Sequence, residues 1–394
     1  MPATADSSPA HRSFLLGELI AGRSTRCRRR WIAQYARNVR REQLTFWVCG
    51  VLLVVLGAVG WQMPVPYVRL APGPVGDTLG TVPKVFGSSS DKPVISITGH
   101  PTEATSGHLY LVTVDEYGGP GEDLSLGDVL VGWWRKSDAV LPIRLVYPPS
   151  ATRQQVQQQA AEQMDVSQED AKVAALRYLG YPVQPGVEIS EILANSSIKG
   201  KAQPGDVILR VDDARVRNAD ELLAVLRTHH VGDHVTLHVN RYGTPVDIPA
   251  VLGKPLTGST VPSIGIQVID SYTQPFRIDI QLSGVGGPSA GLAFALGIVD
   301  KLGAGNLTGG KSIAATGTID LDGNVGAIGG VQQKMVAAKD AGATVFLLPK
   351  DNCGEAVPAA PSGLRLVPVT TLTDAVNALR TLDAGETPPS CPAG

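Results

Sequence analysis

With 394 residues, 43% hydrophobic and 18% charged, the chain holds enough apolar material for two or three packed domains and falls outside the disordered and low-complexity classes. A formal net charge of −2 argues against a uniformly basic nucleic-acid binder. The charge is nevertheless lopsided: residues 1 to 43 carry nine arginines against Asp6, Glu18 and Glu42, while residues 44 to 394 hold 25 basic and 33 acidic side chains.

That basic arm, residues 1–43, runs into twenty uncharged residues, LTFWVCGVLLVVLGAVGWQM, at 44–63. A helix needs about 20 residues to cross a hydrocarbon core. Trp47 and Trp61 stand near the two ends, where interfacial indoles belong. Arginines immediately before the run and none immediately after it put the N-terminus inside. A cleaved signal peptide would have a shorter apolar core, about 7 to 15 residues, and an A-x-A site. Residues 44–63 are therefore read as an uncleaved transmembrane signal anchor, with residues 64–394 outside the cytoplasm. The span accounts for the arginines, so no nucleic-acid partner is expected. Of the four cysteines, Cys27 falls inside and Cys49 within the span, leaving Cys353 and Cys391 as the pair able to meet in an oxidising compartment.

After the span, MPVPYVRLAPGP reads as a short Pro-rich linker. From about Val68 to Tyr147 alternating β-branched stretches such as PVISITG, HLYLVTVDEY and LPIRLVY predict strands. Helix follows to Gly180, with a break expected at Ser167, which with Asp170 has the form of a capping box. Residues 64–180 are taken as one N-terminal β/helix region. Residues 181–254 form a second unit: VEISEIL, KAQPGDVILRVDDARV, the helix NADELLAVLRTH, then GDHVTLHVNRYGTPVDIPAVL. This segment resembles a PDZ domain in the bacterial strand order, most specifically through Gly205-Asp206-Val207-Ile208 leading into a strand and then a helix. The resemblance implies peptide binding by strand addition, with a carboxylate-capturing loop around Tyr181 to Val187. A spacer or docking unit is the plainer alternative. His234 and His238 share a strand face, and are read as solvated histidines without a metal.

Residues 255–384 read as α/β, and residues 385–394 as a frayed tail. Within this region Gly287-Pro288-Ser289-Ala290-Gly291 fits G-x-S-x-G, the nucleophile elbow of α/β-hydrolases. That fold needs a later histidine, yet all seven histidines precede Ser289. GNLTGGKS at 305–312 has the spacing of a phosphate-binding loop, but a helix precedes it and a strand follows, the reverse of what phosphate binding requires. An upstream histidine in a chymotrypsin-like order stays formally open through His100 and His108; without one, a lysine is the candidate base for Ser289. Lys334 stands out, because Val331, Lys334, Met335 and Ala338 share a helix face that should be buried. Burial and a nearby helix N-terminus both lower a lysine's pKa. From the residues alone, a serine capping a buried helix beside a snorkelling lysine fits equally well.

Resemblance separates the two. The GPSAG stretch at 287–291, GTIDLDGNVGAIGGVQQKMVAAKDAG at 317–342 and the strand TVFLLP resemble the proteolytic domain of Lon-type Ser-Lys peptidases. The resemblance implies Ser289 as nucleophile, Lys334 as base and Thr316 as the threonine that hydrogen-bonds that lysine. Gly287, Pro288 and Ala290 surround the serine and are the expected oxyanion loop. No part of the chain resembles the ATPase module of cytoplasmic Lon. The set resembles the stand-alone, membrane-anchored bacterial Lon-like proteases. The expected fold is an α/β (α+β) Lon-type proteolytic domain plus a small, mostly-β PDZ domain inserted into it, behind one transmembrane helix. The expected function is an ATP-independent serine endopeptidase of the bacterial cytoplasmic membrane, without cofactor or metal. Its expected partners are protein or peptide substrates held by the PDZ domain and, by resemblance, further copies of itself in a hexameric ring. A non-catalytic PDZ-containing scaffold at the membrane is the rival.

Overall fold

The computed structural model describes residues 43–86, 92–256, 258–282, 284–303 and 305–392; the arginine-rich arm at 1–42 lies outside them. Among the described residues two units separate: 43–65 with 125–130, and 66–124 with 131–392. The first holds helix α1 (Gln43–Trp61), long and apolar enough to cross a membrane, and the short strand β1 (Pro64–Val65). Leu53 and Val54 on α1 are 71% and 73% exposed, an apolar surface left uncovered among the described residues.

The second unit opens with β2 (Tyr67–Asp77), β3 (Ile95–Thr98) and β4 (His108–Tyr117), and β5 (Leu124–Ser125) falls at the boundary with residues 125–130. The expected linker is thus a strand. Its prolines survive there because the register of β2 against β4 slips between Pro72 and Val75, a bulge where the missing N–H groups break no ladder. The stretch expected to be all strand also contains helix α2 (Leu126–Trp134), and LPIRLVY divides into the end of β6 (Ala139–Pro142) and one helical turn, α3 (Ile143–Val146). Helix α4 (Arg153–Tyr178) is continuous for 26 residues. The break expected at Ser167 does not occur. The capping box is at Thr152 and Gln155 instead, while Ser167 is buried and gives its hydroxyl proton to a neighbouring loop.

The chain then builds a separate sheet from β7 (Pro185–Ile192), β8 (Val207–Val211), β9 (Ala214–Arg215), β10 (His234–Arg241) and β11 (Thr244–Val251), covered by α5 (Ala219–Leu226). Val187, Ile189, Ile208, Leu237 and Ile248 fill its core with Leu222 and Leu226 of the helix. His238 bonds Asp247 across the β10–β11 ladder at 2.6 Å, a carboxylate partner that sequence spacing overlooks. Strand β12 (Ile266–Tyr272) joins the same sheet by pairing antiparallel with β7, although its residues lie past the expected boundary at 254.

The remaining elements are β13 (Arg277–Ile280), α6 (Gly291–Leu302), β14 (Ser312–Ala315), β15 (Thr318–Ile319), β16 (Val325–Gly326), α7 (Val331–Asp340), β17 (Val345–Pro349), α8 (Cys353–Ala356), β18 (Arg365–Val369) and α9 (Leu372–Asp383). They close a six-stranded sheet in the order β18-β17-β14-β4-β2-β6, parallel from β18 to β4 and antiparallel beyond. Alternation sends Leu109, Leu111, Ile313 and Leu347 to one face, against α4, α6 and α9. Ala314, Phe346 and Leu348 face the other way, against α7. Strands from before and after the inserted sheet therefore share one core.

The C-terminal segment is not a free tail. Cys391 is disulfide-bonded to Cys353, with their Cα atoms 5.5 Å apart, and packs against the α7-side core. Closing a loop over a sequence separation of 38 limits the unfolded chain by roughly 4 kcal/mol on a chain-entropy estimate. Cys391→Ser should lower the denaturant midpoint of the full chain, and reducing the unsubstituted protein should reproduce the loss; an unchanged midpoint in both would show that the bond stabilises nothing.

Candidate active site

Ser289 stands two residues before α6, whose residues Gly291 to Asp300 are all buried. A helix packed on every side needs small residues where its start meets other backbone. A Cβ at Gly286 would come within 2.7 Å of Ala160 on α4, and one at Gly291 within 2.8 Å of Ser167 Oγ. Gly287 has φ +85°, a left-handed conformation that disfavours a side chain. The glycines therefore let the serine loop lie directly on α4.

Hydrogen bonds fix that loop from both sides. The Gly287 N–H donates to the Ala160 carbonyl at 2.9 Å, and the Ser167 hydroxyl donates to the Pro288 carbonyl at 2.9 Å. From beyond the carboxyl end of β14, the Thr316 hydroxyl and the Gly317 N–H both donate to the Ser289 carbonyl, at 3.2 and 3.0 Å. Thr316 thus positions the serine backbone. Among the described residues no bond joins it to Lys334, contrary to what the resemblance implies. The oxyanion loop also needs correction. Gly287 has its N–H engaged with α4 and Pro288 has none, so of the expected three only Ala290 can donate. The N–H groups of Ser289 and Ala290, at the start of α6, meet no acceptor among the described residues. An oxyanion formed at the serine would find them there.

Lys334 reaches the serine from the opposite face of the sheet. Helix α7 starts after Gly330, whose left-handed φ of 67° turns the chain into it, and Val331, Met335 and Ala338 lock it onto the sheet. The same stripe carries Lys334 inward, leaving it 4% exposed, with Nζ 2.8 Å from Ser289 Oγ. Burial lowers the lysine to about 8. As an ammonium it donates to Oγ; once neutral, the same contact lets the hydroxyl donate to Nζ. The pair opens on a cleft of about 640 Å³ lined by Val112, Val114, Met164, Val285 and Ile328. A larger, shallower depression of about 800 Å³ beside the C-terminal tail contains neither residue.

Other lysines are badly placed. Lys301, also lowered by burial, lies at the far end of α6, about 15 Å of helix away from the serine. Lys311 belongs to the GNLTGGKS turn, which follows α6 and feeds β14, so no helix N-terminus awaits a phosphate there. The contribution of α4 went unseen in the sequence. Ala160 and Ser167, the residues that touch the serine loop, are not distinguished in sequence from the helix's other small residues, Ala161, Ala171, Ala174 and Ala175.

Residues 283–380 match the Lon protease (S16) C-terminal proteolytic domain, and residues 164–250 match a PDZ domain. The Lon protease of Clostridioides difficile strain 630 is 46% identical over 65 residues, 16% of this chain and 8% of that protein. The Lon protease of Azospirillum brasilense is 40% identical over 91 residues, 22% of this chain and 11% of that protein. The chain thus spans about a tenth of the length of these curated relatives. Among solved structures, the PDZ domain of an SdrC-like protein from Listeria monocytogenes aligns at 19% identity and a TM-score of 0.20, covering 21% of this chain and 86% of that one. The chain carries a Lon-type proteolytic domain, of the serine peptidase class, and a PDZ domain.

Burying Lys334 has a cost that can be measured without substrate. Between about pH 8 and the ordinary lysine value of 10.5, the unfolded chain binds the proton that the folded chain has released, so stability should rise with pH across that window. Lys334→Met should remove this rise and leave the protein roughly 1 to 3 kcal/mol more stable at pH 7, read by urea unfolding. A variant less stable than the parent would mean that the buried amine contributes to the fold.

Proposed function

We propose that the chain is a serine endopeptidase working by a Ser289–Lys334 dyad, held at the membrane by α1 and acting on unfolded or membrane-tethered proteins outside the cytoplasm. The observation that carries this reading is the buried Lys334 amine at 2.8 Å from Ser289 Oγ. Neutral Lys334 takes the hydroxyl proton as Oγ attacks the scissile carbonyl. The Ser289 and Ala290 N–H groups stabilise the tetrahedral oxyanion, and the lysine returns the proton to the leaving amine. Water, deprotonated by the same amine, then attacks the acyl carbon, and as the C–Oγ bond breaks the lysine returns that proton to Ser289 Oγ, releasing the acid and restoring the dyad. Thr316 and Ser167 act on this chemistry only by holding the backbone on either side of the nucleophile.

Two features support the location. The apolar helix α1 follows nine arginines, the arrangement of an anchor with its N-terminus inside. The Cys353–Cys391 bond suits an oxidising compartment. ATP independence is proposed on the turn geometry at 305–312, where no phosphate cradle forms. The PDZ domain is proposed to receive substrate peptides, and assembly into a ring rests on the Lon resemblance.

A general base must be neutral, so kcat/KM on a peptide ester should rise with pH through about 8. Lys334→Arg keeps the charge but cannot deprotonate, and should lose about 10²-fold to 10⁴-fold, as fully as Ser289→Ala. Substantial turnover by the arginine variant would assign the base to another group. In the same assay, casein should be cleaved without nucleotide, and labelling of Ser289 by a serine-reactive phosphonate should follow the same pH curve; an absolute need for ATP would overturn the energy-free reading.

A further inference from the structure

Strand addition requires a free edge, and the edge offered by the PDZ sheet is β7, with α5 forming the other wall of the groove. That edge is already taken. Strand β12 pairs antiparallel with the whole of β7, from Ile266 opposite Ile192 to Tyr272 opposite Pro185. Ile266 and Val268 pack into the PDZ core alongside Ile192 and Val225 of α5. Asp270 Oδ1 accepts the Ala219 N–H at 2.7 Å, capping the first turn of α5. The direction of β12 is also that of a bound peptide. Its carboxyl end meets the segment before β7, the expected carboxylate loop, where the Thr273 N–H donates to the Gln184 carbonyl and the Gln184 N–H to Thr273 Oγ1.

We propose that β12 is the resident occupant of the peptide groove, and that the groove takes other peptides only by exchange with it. The ligand class is the chemistry β12 itself presents: an extended segment with aliphatic residues at two alternate positions, followed two residues later by a carboxylate that caps α5. This rests on the reading of the PDZ domain as a peptide receptor. Exchange would reach the catalytic side through α4. The Ser271 hydroxyl of β12 lies 3.1 Å from Glu169 Oε1 and 2.8 Å from Glu188 Oε2, and Glu169 stands two residues from Ser167, which holds Pro288. Removing β12 strips Glu188, a carboxyl already pushed up by burial, of that hydroxyl. The groove is therefore gated from within, and its ligands report to the loop that carries Ser289.

The test uses the full chain in detergent micelles with Ser289→Ala, so that no peptide is cleaved and the outcome is independent of the dyad. The probe is a fluorescein-labelled peptide, GIQVIDSYT, followed by anisotropy. Val268→Asp places a charge in the groove and should release β12 without altering β7 or α5. This variant should bind the probe about tenfold or more tightly than its parent, because apparent affinity scales with the open fraction. A probe with Asp replaced by Ala should bind about fivefold more weakly, the equivalent of a lost helix cap. Equal binding by variant and parent, or none by either, would overturn the proposal. Hydrogen exchange on the chain without Val268→Asp guards against a misfolded variant: saturating probe should expose the amides of 266–272 while β7 stays protected, and protection of both strands with probe bound would also overturn it. Casein and ester turnover by the Ser289-containing Val268→Asp chain separates the readings, since failed probe binding with ester cleavage intact sinks the groove and leaves the dyad standing.

Discussion

An amine taken out of water beside a hydroxyl is the constraint on which the rest of the catalytic domain depends. Among the described residues Lys334 meets Ser289 Oγ and no carboxylate, and burial holds its charged form at a disadvantage. That environment requires a rigid helix pressed to the sheet, supplied by Val331, Met335 and Ala338, and a nucleophile delivered from the other face to within hydrogen-bond reach. Two helices on opposite faces can meet in this way only beyond the end of the strand between them. Thr316 and Gly317, just past β14, occupy that point and grip the Ser289 carbonyl.

Helix α4 completes the arrangement from a distance in sequence. Its length lets one element touch the serine loop through Ala160 and Ser167 and the PDZ-side strand β12 through Glu169. A helix broken at Ser167 would hold neither contact in register with the other. The loop therefore has little freedom of its own: its glycines permit the close approach, and bonds from α4 and the β14 end remove the mobility those glycines would otherwise bring.

Local chemistry made much of this legible in the sequence. The lysine showed itself by sitting on an apolar stripe, the apolar helix α1 by its length and lack of charge, and the reversed phosphate loop by what precedes and follows it. Features decided by distant partners did not. Ser167 has the side chain of a helix cap, and only the Pro288 carbonyl, 121 positions away, explains why it lies in mid-helix. The resemblance implies Thr316 as a partner for the lysine, but a matching residue type does not fix which way its hydroxyl turns. The β12 segment has the alternation of any strand, and nothing local says that it fills the edge of a neighbouring domain's sheet.

The bond between Cys353 and Cys391 gives the chain a sense of where it is. On the proposed topology, the two thiols can pair only once they have crossed the membrane into an oxidising compartment. A molecule that fails to cross keeps its last residues unpinned and its α7-side core without Cys391, on the same side that positions Lys334.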